Sequence, residues 1–360
     1  AGLALKAGGN VSLGSLCLSS GECGSKVAAQ TTAAATITSE NGNITLNGNL
    51  LADRSLLLTA NNGALTLGGI DLSSRQSATL QAQSKNAIKL NSDILTKNGD
   101  IDIQSTNGAI TVADDIAIDS GSAELALKAD GDISLGSLCL ISGKCGATTP
   151  EKTSKVANIT SENGNITLAG DLLADRSLLL TANNGALTLG GIDLRSRQGA
   201  TLQAQSKQGI KLNNDILTNN GEMAINSTGG AITMADNKIL SAGDHNITLT
   251  AGSDVDVQHL LTTAKIAVTS GANATFKQAL AGLNNQGIGE FAVDAGGNVV
   301  LNGLRSNSAV TVSADGLVDV VKPVFTAGDV NLAGKTLTVE SGAGISTKGA
   351  NGNVAGKALN

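Results

Sequence analysis

Apolar residues come along this chain in short alternating bursts, each introduced by a polar corner rich in Gly, Asn and Asp: NGNITL, NNGALTL, TNGAITV, DGDISL. Apolar letters two apart turn one side of an extended strand toward an interior and leave the letters between them outside. The pairs fall at Val11/Leu13, Ile44/Leu46, Leu65/Leu67, Ile88/Leu90, Ile110/Val112 and Ile133/Leu135, in steps of 33, 21, 23, 22 and 23 residues. After Val255/Val257 the beat loosens, with marks at Phe276, Leu301, Val320 and Val339. Each period holds two or three segments of this kind, such as SLLLTA, ALTLGG and IDL.

A unit that returns at this interval is one supersecondary element stacked on itself. The pattern predicts an all-β fold, a right-handed parallel β-helix with about 20–23 residues per turn. Each strand would pair with its equivalent about 4.8 Å above and below, so that like residues lie over like. Glycine at the corners would supply positive φ, and Asn would join a polar ladder. An antiparallel meander is the rival, because Asn-Gly between alternating segments is also a hairpin signal. Hairpins do not require the pattern to return at a fixed interval or equivalent residues to match in type.

A longer repeat contains the short one. Residues 50–72, LLADRSLLLTANNGALTLGGIDL, recur letter for letter at 172–194, an offset of 122 that needs no gap between residues 1 and 244. The chain reads as one continuous β-helix over 1–360, with tandem copies at 1–122 and 123–244 and a diverged third region at 245–360. Fifteen marked turns would make a rod of roughly 70 Å. Neither end carries a polar capping turn and the start has no leader-like segment, so the chain is read as an internal piece of a longer stack.

Composition narrows the picture. With 45 Gly, no Trp, no Tyr and three Phe, the core must be aliphatic, and a narrow cross-section leaves little room for rings. With 24 basic and 30 acidic residues the formal charge is −6, which argues against nucleic acid as a partner. No apolar run is long enough to span a bilayer as a helix, so the chain is not expected to be membrane-embedded.

The four cysteines form two equal spacings, Cys17/Cys23 in CLSSGEC and Cys139/Cys145 in CLISGKC. Each pair lies in a 33-residue interval, where some eleven extra residues would bud from the stack as a loop. Five turns, about 24 Å, would separate the two loops. Bridged cysteines need Cα atoms within about 7 Å, so two local disulfides are expected and a shared zinc site is not. They would place the chain in an oxidising compartment. The loops are read as pinned excursions or as a repeated contact surface; neither has an aromatic or a basic cluster.

No catalytic centre, cofactor site or metal site is expected. His245 and His259 lack any Cys or HExxH context and read as solvated corner residues. Asp53-Arg54 and Asp175-Arg176 are the nearest approach to a polar constellation, and carbohydrate-cleaving β-helices do use such residues. They occur identically in both copies, however, and are expected to be solvated corner pairs of little energetic weight. DGD at Asp130 and SDVDV at Ser253 stand alone, without the tandem nonapeptides of calcium-binding β-rolls, so no bound calcium is expected. The sequons at Asn43 and Asn165 reflect Asn corners followed by β-forming Thr.

Runs such as GNITLNGNLLADRSLLLTANNGALTLGG resemble the filamentous haemagglutinin-like repeats of bacterial two-partner-secretion exoproteins. The resemblance covers nearly the whole chain and is strongest over 1–257. It implies a right-handed β-helical shaft, exported through an outer-membrane partner transporter and displayed on, or shed from, a Gram-negative cell, as in adhesins and the stalks of contact-dependent growth inhibition. The secretion domain of that family carries Asn-Pro motifs, whereas here the prolines are Pro150 and Pro323, neither preceded by Asn.

The functional expectation is therefore a rigid spacer presenting a distal binding or toxin domain toward a host or neighbouring-cell receptor. One alternative is a segment that grips a receptor or polysaccharide through its disulfide loops. Another is a β-helical carbohydrase working through Asp53 and Asp175.

Overall fold

The computed structural model describes residues 3–19, 33–141, 155–277, 289–347 and 354–358. They fall into two compact units, Ala1–Gly185 and Ala186–Asn360, each taken by itself. Among the described residues every element is a strand and every strand pairing is parallel. The antiparallel meander is thereby removed.

In the first unit a turn consists of three strands on three faces. Leu56–Ala60, Leu65–Leu67 and Ile70–Gln76 make one turn, and Leu80–Ser84, Ile88–Leu90 and Ile94–Lys97 make the next. Equivalents pair in register on all three faces, Leu56 with Leu80, Leu65 with Ile88 and Ile70 with Ile94. Alternation sets what is buried: Leu56, Leu58 and Ala60 point inward, and Leu57 and Thr59 outward. Stacking then builds apolar columns such as Ile37, Leu58, Ala82, Ile103, Leu127, Ile159 and Leu180 on the first face. Each fully buried Leu or Ile contributes about 1.5–3 kcal/mol.

The corners close by hydrogen bonds that link one turn to the next. Asn10 Oδ1 accepts the Asn43 amide at 2.9 Å, and Asn43 Oδ1 accepts the Ala64 amide at 2.9 Å. Asp132 does the same for Asn165 at 2.7 Å. The end of each first-face strand carries a small inward residue, Ser39, Ser105 and Ser161 among them. Ser39 Oγ accepts the Gly42 amide at 3.0 Å and donates to the Gly9 carbonyl of the preceding turn at 2.7 Å. Ser161 repeats this with Gly164 and Gly131. These buried hydroxyls satisfy backbone groups that a corner would otherwise strand.

Corner glycine has a different purpose from the one expected. Positive φ among described glycines is confined to Gly121, Gly199, Gly243, Gly303 and Gly342, and Ser77, Asn98, Asp115, Asn220 and Asn237 share that conformation. At Gly63 and Gly185 the constraint is contact: an added Cβ would lie 1.9 Å from the Gly42 carbonyl oxygen and 2.0 Å from that of Gly164. Turns stacked this closely leave no space for a side chain.

The second unit keeps the first two faces, and its third-face sheet ends with His259–Thr262. Its second-face ladder runs Val257, Phe276, Leu301, Val320, Val339, one residue per turn and in register. These are the four loosely spaced marks expected from the sequence. Two differences appear here. Phe276 and Phe291 are buried and meet edge to face, their centroids 5.3 Å apart at 76°, so the cross-section does admit rings where neighbouring turns supply them in pairs. The strands Val299–Ser306 and Leu317–Thr326 also run on past the corner, so that Leu304 pairs with Val324 after a register shift near Asn302.

Candidate functional site

Cys17 and Cys139 occupy the middle position of the third-face strands Leu16–Leu18 and Leu138–Leu140, Cys17 half-buried and Cys139 buried. Each stands beside an exposed leucine of the following turn, Leu51 and Leu173 respectively. Five steps of the same sheet separate Cys17 from Cys139, about 24 Å, and no disulfide joins two described residues. Cys23 and Cys145 lie outside the described residues, as do the two pairings expected for them.

The Asp-Arg dipeptides overturn the expectation of solvated corner pairs. Asp53 and Arg54 are 5% and 7% exposed, and Asp175 and Arg176 are fully buried. Arg54 Nε lies 3.1 Å from Asp53 Oδ1, and Arg176 Nε lies 3.5 Å from Asp175 Oδ1. The Arg176 guanidinium also donates to Ser120 Oγ at 2.7 Å, to the Gly121 carbonyl at 2.7 Å and to the Ala123 carbonyl at 3.1 Å.

Those acceptors sit in the corner after Ile116–Asp119, two turns before Arg176. The Arg176 side chain therefore bonds directly to a corner two turns away. A buried guanidinium is tolerated because its terminal nitrogens donate to the hydroxyl and the two carbonyls while the Asp175 carboxylate, 3.5 Å from Nε, supplies the opposite charge.

Other polar candidates are held by neighbouring turns or by the corner itself. His245 Nδ1 lies 2.6 Å from Asp244 Oδ1 at an exposed corner, whereas His259 is half-buried at the head of the strand His259–Thr262. No group of three His, Cys, Asp or Glu able to hold a metal occurs among the described residues. Asp130 accepts from the Asn163 amide at 2.7 Å. On the first face, burial pushes the half-buried Asp102 carboxyl above its usual range.

A concavity of about 350 Å³ lies on the third face of the second unit, lined by His259, Asn302, Gly303, Leu304, Arg305, Lys322, Pro323 and Phe325. Gly303 at φ +100° bends one strand there, and Pro323 stands opposite it in the next. Phe325 is 45% exposed, with the Arg305 guanidinium 5.2 Å from its ring centroid.

No family model, curated protein or solved structure matches this chain. The architecture of each unit is compatible with a filamentous haemagglutinin-type repeat region.

Two features of this surface escaped the sequence reading. The burial of Arg176 rests on partners 53 to 56 residues earlier in the chain, which its own segment does not announce. Arg305 lies 17 residues before Lys322 and 20 before Phe325, and only the register brings it onto one face with them.

Proposed function

We propose that this chain is a shaft segment of a secreted bacterial surface exoprotein, spacing or presenting a distal binding or toxin domain. The observation that carries the reading is the in-register ladder. Each turn is bonded to its equivalents above and below, so such a stack can change length by whole turns while every turn still pairs with an equivalent on either side. The tandem 122-residue copies are the product expected of that kind of change. Export through an outer-membrane partner transporter, an extracellular location and disulfides Cys17–Cys23 and Cys139–Cys145 belong to this reading. So does the absence of a catalytic role, since burial of Asp53 and Asp175 keeps both carboxylates from a polymeric substrate.

Inserting a further copy of residues 123–244 should lengthen the particle seen by electron microscopy by about 24 Å, and removing that copy should shorten it equally. A change in width or a collapse of either variant would refute the shaft reading.

The exposed Leu51 and Leu173 beside Cys17 and Cys139 favour a second role, in which the cysteine segments contact a receptor or polysaccharide. Deleting 20–32 and 142–154 should then abolish attachment while the strand ladders persist.

A further inference from the structure

We infer that the concavity on the third face of the second unit binds a carboxylated sugar, a hexuronate unit of an acidic polysaccharide. This inference is independent of the shaft reading. Its first support is charge. The chain has a formal charge of −6, yet the lining holds Arg305, Lys322 and His259 and no carboxylate. Elsewhere on the surface Lys6, Lys128, Lys155, Lys265 and Lys277 each face an acidic partner within 3.1 Å.

The second support is the ring. Of three phenylalanines two are packed inside, and Phe325 alone is exposed. In its outward row Arg305 covers one side, and the neighbour on the other is Ser346, too short to reach across a phenyl group. An aromatic face beside a guanidinium fork matches a sugar that offers C–H groups on one side and a carboxylate at its edge. Lys322 adds a second, less directional cation.

Size and net charge restrict the ligand further. A space of about 350 Å³ holds one or two sugar rings. A strongly acidic chain repels the dense phosphate charge of nucleic acid, while a local basic patch still admits one or two carboxylates. The shape is held by backbone: Gly303 and Pro323 turn adjacent strands around the corner, and the Asn302 amide donates to the Lys277 carbonyl at 2.7 Å.

The test is calorimetric titration of the full chain at low salt with tri-galacturonate and with its methyl ester, which has the same rings without the charge. The acid should bind saturably and the ester about tenfold more weakly. Arg305→Gln with Lys322→Gln should weaken the acid about tenfold, and Phe325→Ala about fivefold, with Phe325→Trp retaining it. Should Phe325→Ala not fold, the charge variants, which alter only exposed side chains, still decide the matter. No saturable binding of the acid, equal binding of the ester, or undiminished binding by the charge variants would each overturn the inference.

Discussion

Residues 50–72 and 172–194 are identical in sequence and form the same strands with the same alternation of inward and outward residues. Their shared Asp-Arg dipeptide nevertheless meets two different surroundings. Arg176 is sealed against Ser120, Gly121 and Ala123. Arg54 lies 3.1 Å from Asp53 Oδ1 and keeps a slight exposure. In a solenoid a side chain takes its environment from the turns around it as much as from its own segment, so identical letters need not carry identical energies.

The sharpest test of that difference is Arg176→Ala against Arg54→Ala. Removing the Arg176 guanidinium takes a positive charge from beside the buried Asp175 carboxylate and a donor from the Gly121 and Ala123 carbonyls, a loss of about 3–5 kcal/mol. Arg54→Ala should cost about half as much, because water can reach part of its site. Long repeat arrays depart from two-state unfolding, so the readout is native-state hydrogen exchange of the Leu125–Ala129 and Leu178–Ala182 amides against those of Leu56–Ala60. Equal losses in the two copies would show that position in the stack does not matter here.

Corner glycines should behave in the opposite way, alike in both copies. Gly63→Ala and Gly185→Ala each drive a methyl group into the carbonyl of the turn above, at nearly the same distance. Each is expected to cost about 1–3 kcal/mol. A difference between them larger than that between Arg54→Ala and Arg176→Ala would undo the contrast drawn above.

A smaller asymmetry lies at the corner occupied by Ser77 in the first copy and by Gly199 in the second, both at positive φ. Ser77→Gly should relieve backbone strain and stabilise its turn by up to about 1 kcal/mol, and Gly199→Ser should cost a similar amount. The nearest atom to an added Cβ at Gly199 is 3.9 Å away, so the effect is conformational rather than steric. Opposite signs in a thermal denaturation series are the expected result.

The ladder was legible in the sequence because a solenoid writes its contacts as a period. Ile44, Leu65 and Ile88 announce their own pairing, and even the widely spaced Phe276, Leu301, Val320 and Val339 prove to be one column. Features that depend on where the period breaks were not legible. The interior place of Arg176 depends on a corner two turns earlier, at Ser120, Gly121 and Ala123, which its own segment does not record. The concavity beside Phe325 arises where Gly303 and Pro323 carry strands around a corner that other turns break, so spacing alone could not bring Arg305 and Lys322 together. Corner serines such as Ser39 were readable in principle from their Ser-x-x-Gly spacing, but the alternation rule alone assigns an inward serine no role.

The least of the expected effects separates the copies by pH. Asp193 accepts the Arg195 amide at 2.9 Å, Nε at 3.0 Å and the terminal guanidinium nitrogen at 2.8 Å. The first copy has Ser73 at the position of Arg195, and Asp71 accepts only its amide from that residue, at 2.8 Å. Hydrogen bonds from the Arg195 side chain are the main cause that holds the Asp193 carboxyl below the ordinary range, against a partial penalty from burial. A carboxyl lowered in the folded state adds stability above its unfolded value, about 3.9, and loses it as pH falls through the folded one. The second unit should therefore weaken in acid by a small, salt-sensitive step, because the pair is largely exposed. Glu40 and Glu162 are lowered in the same direction by Lys6 and Lys128 and add an acid response of their own. The difference between the wild-type protein and Arg195→Ser isolates Asp193: their unfolding midpoints should diverge above about pH 4 and converge below it. A gap that stays constant across that range would mean that Arg195 acts through packing, and that charge does not distinguish the two copies at this position.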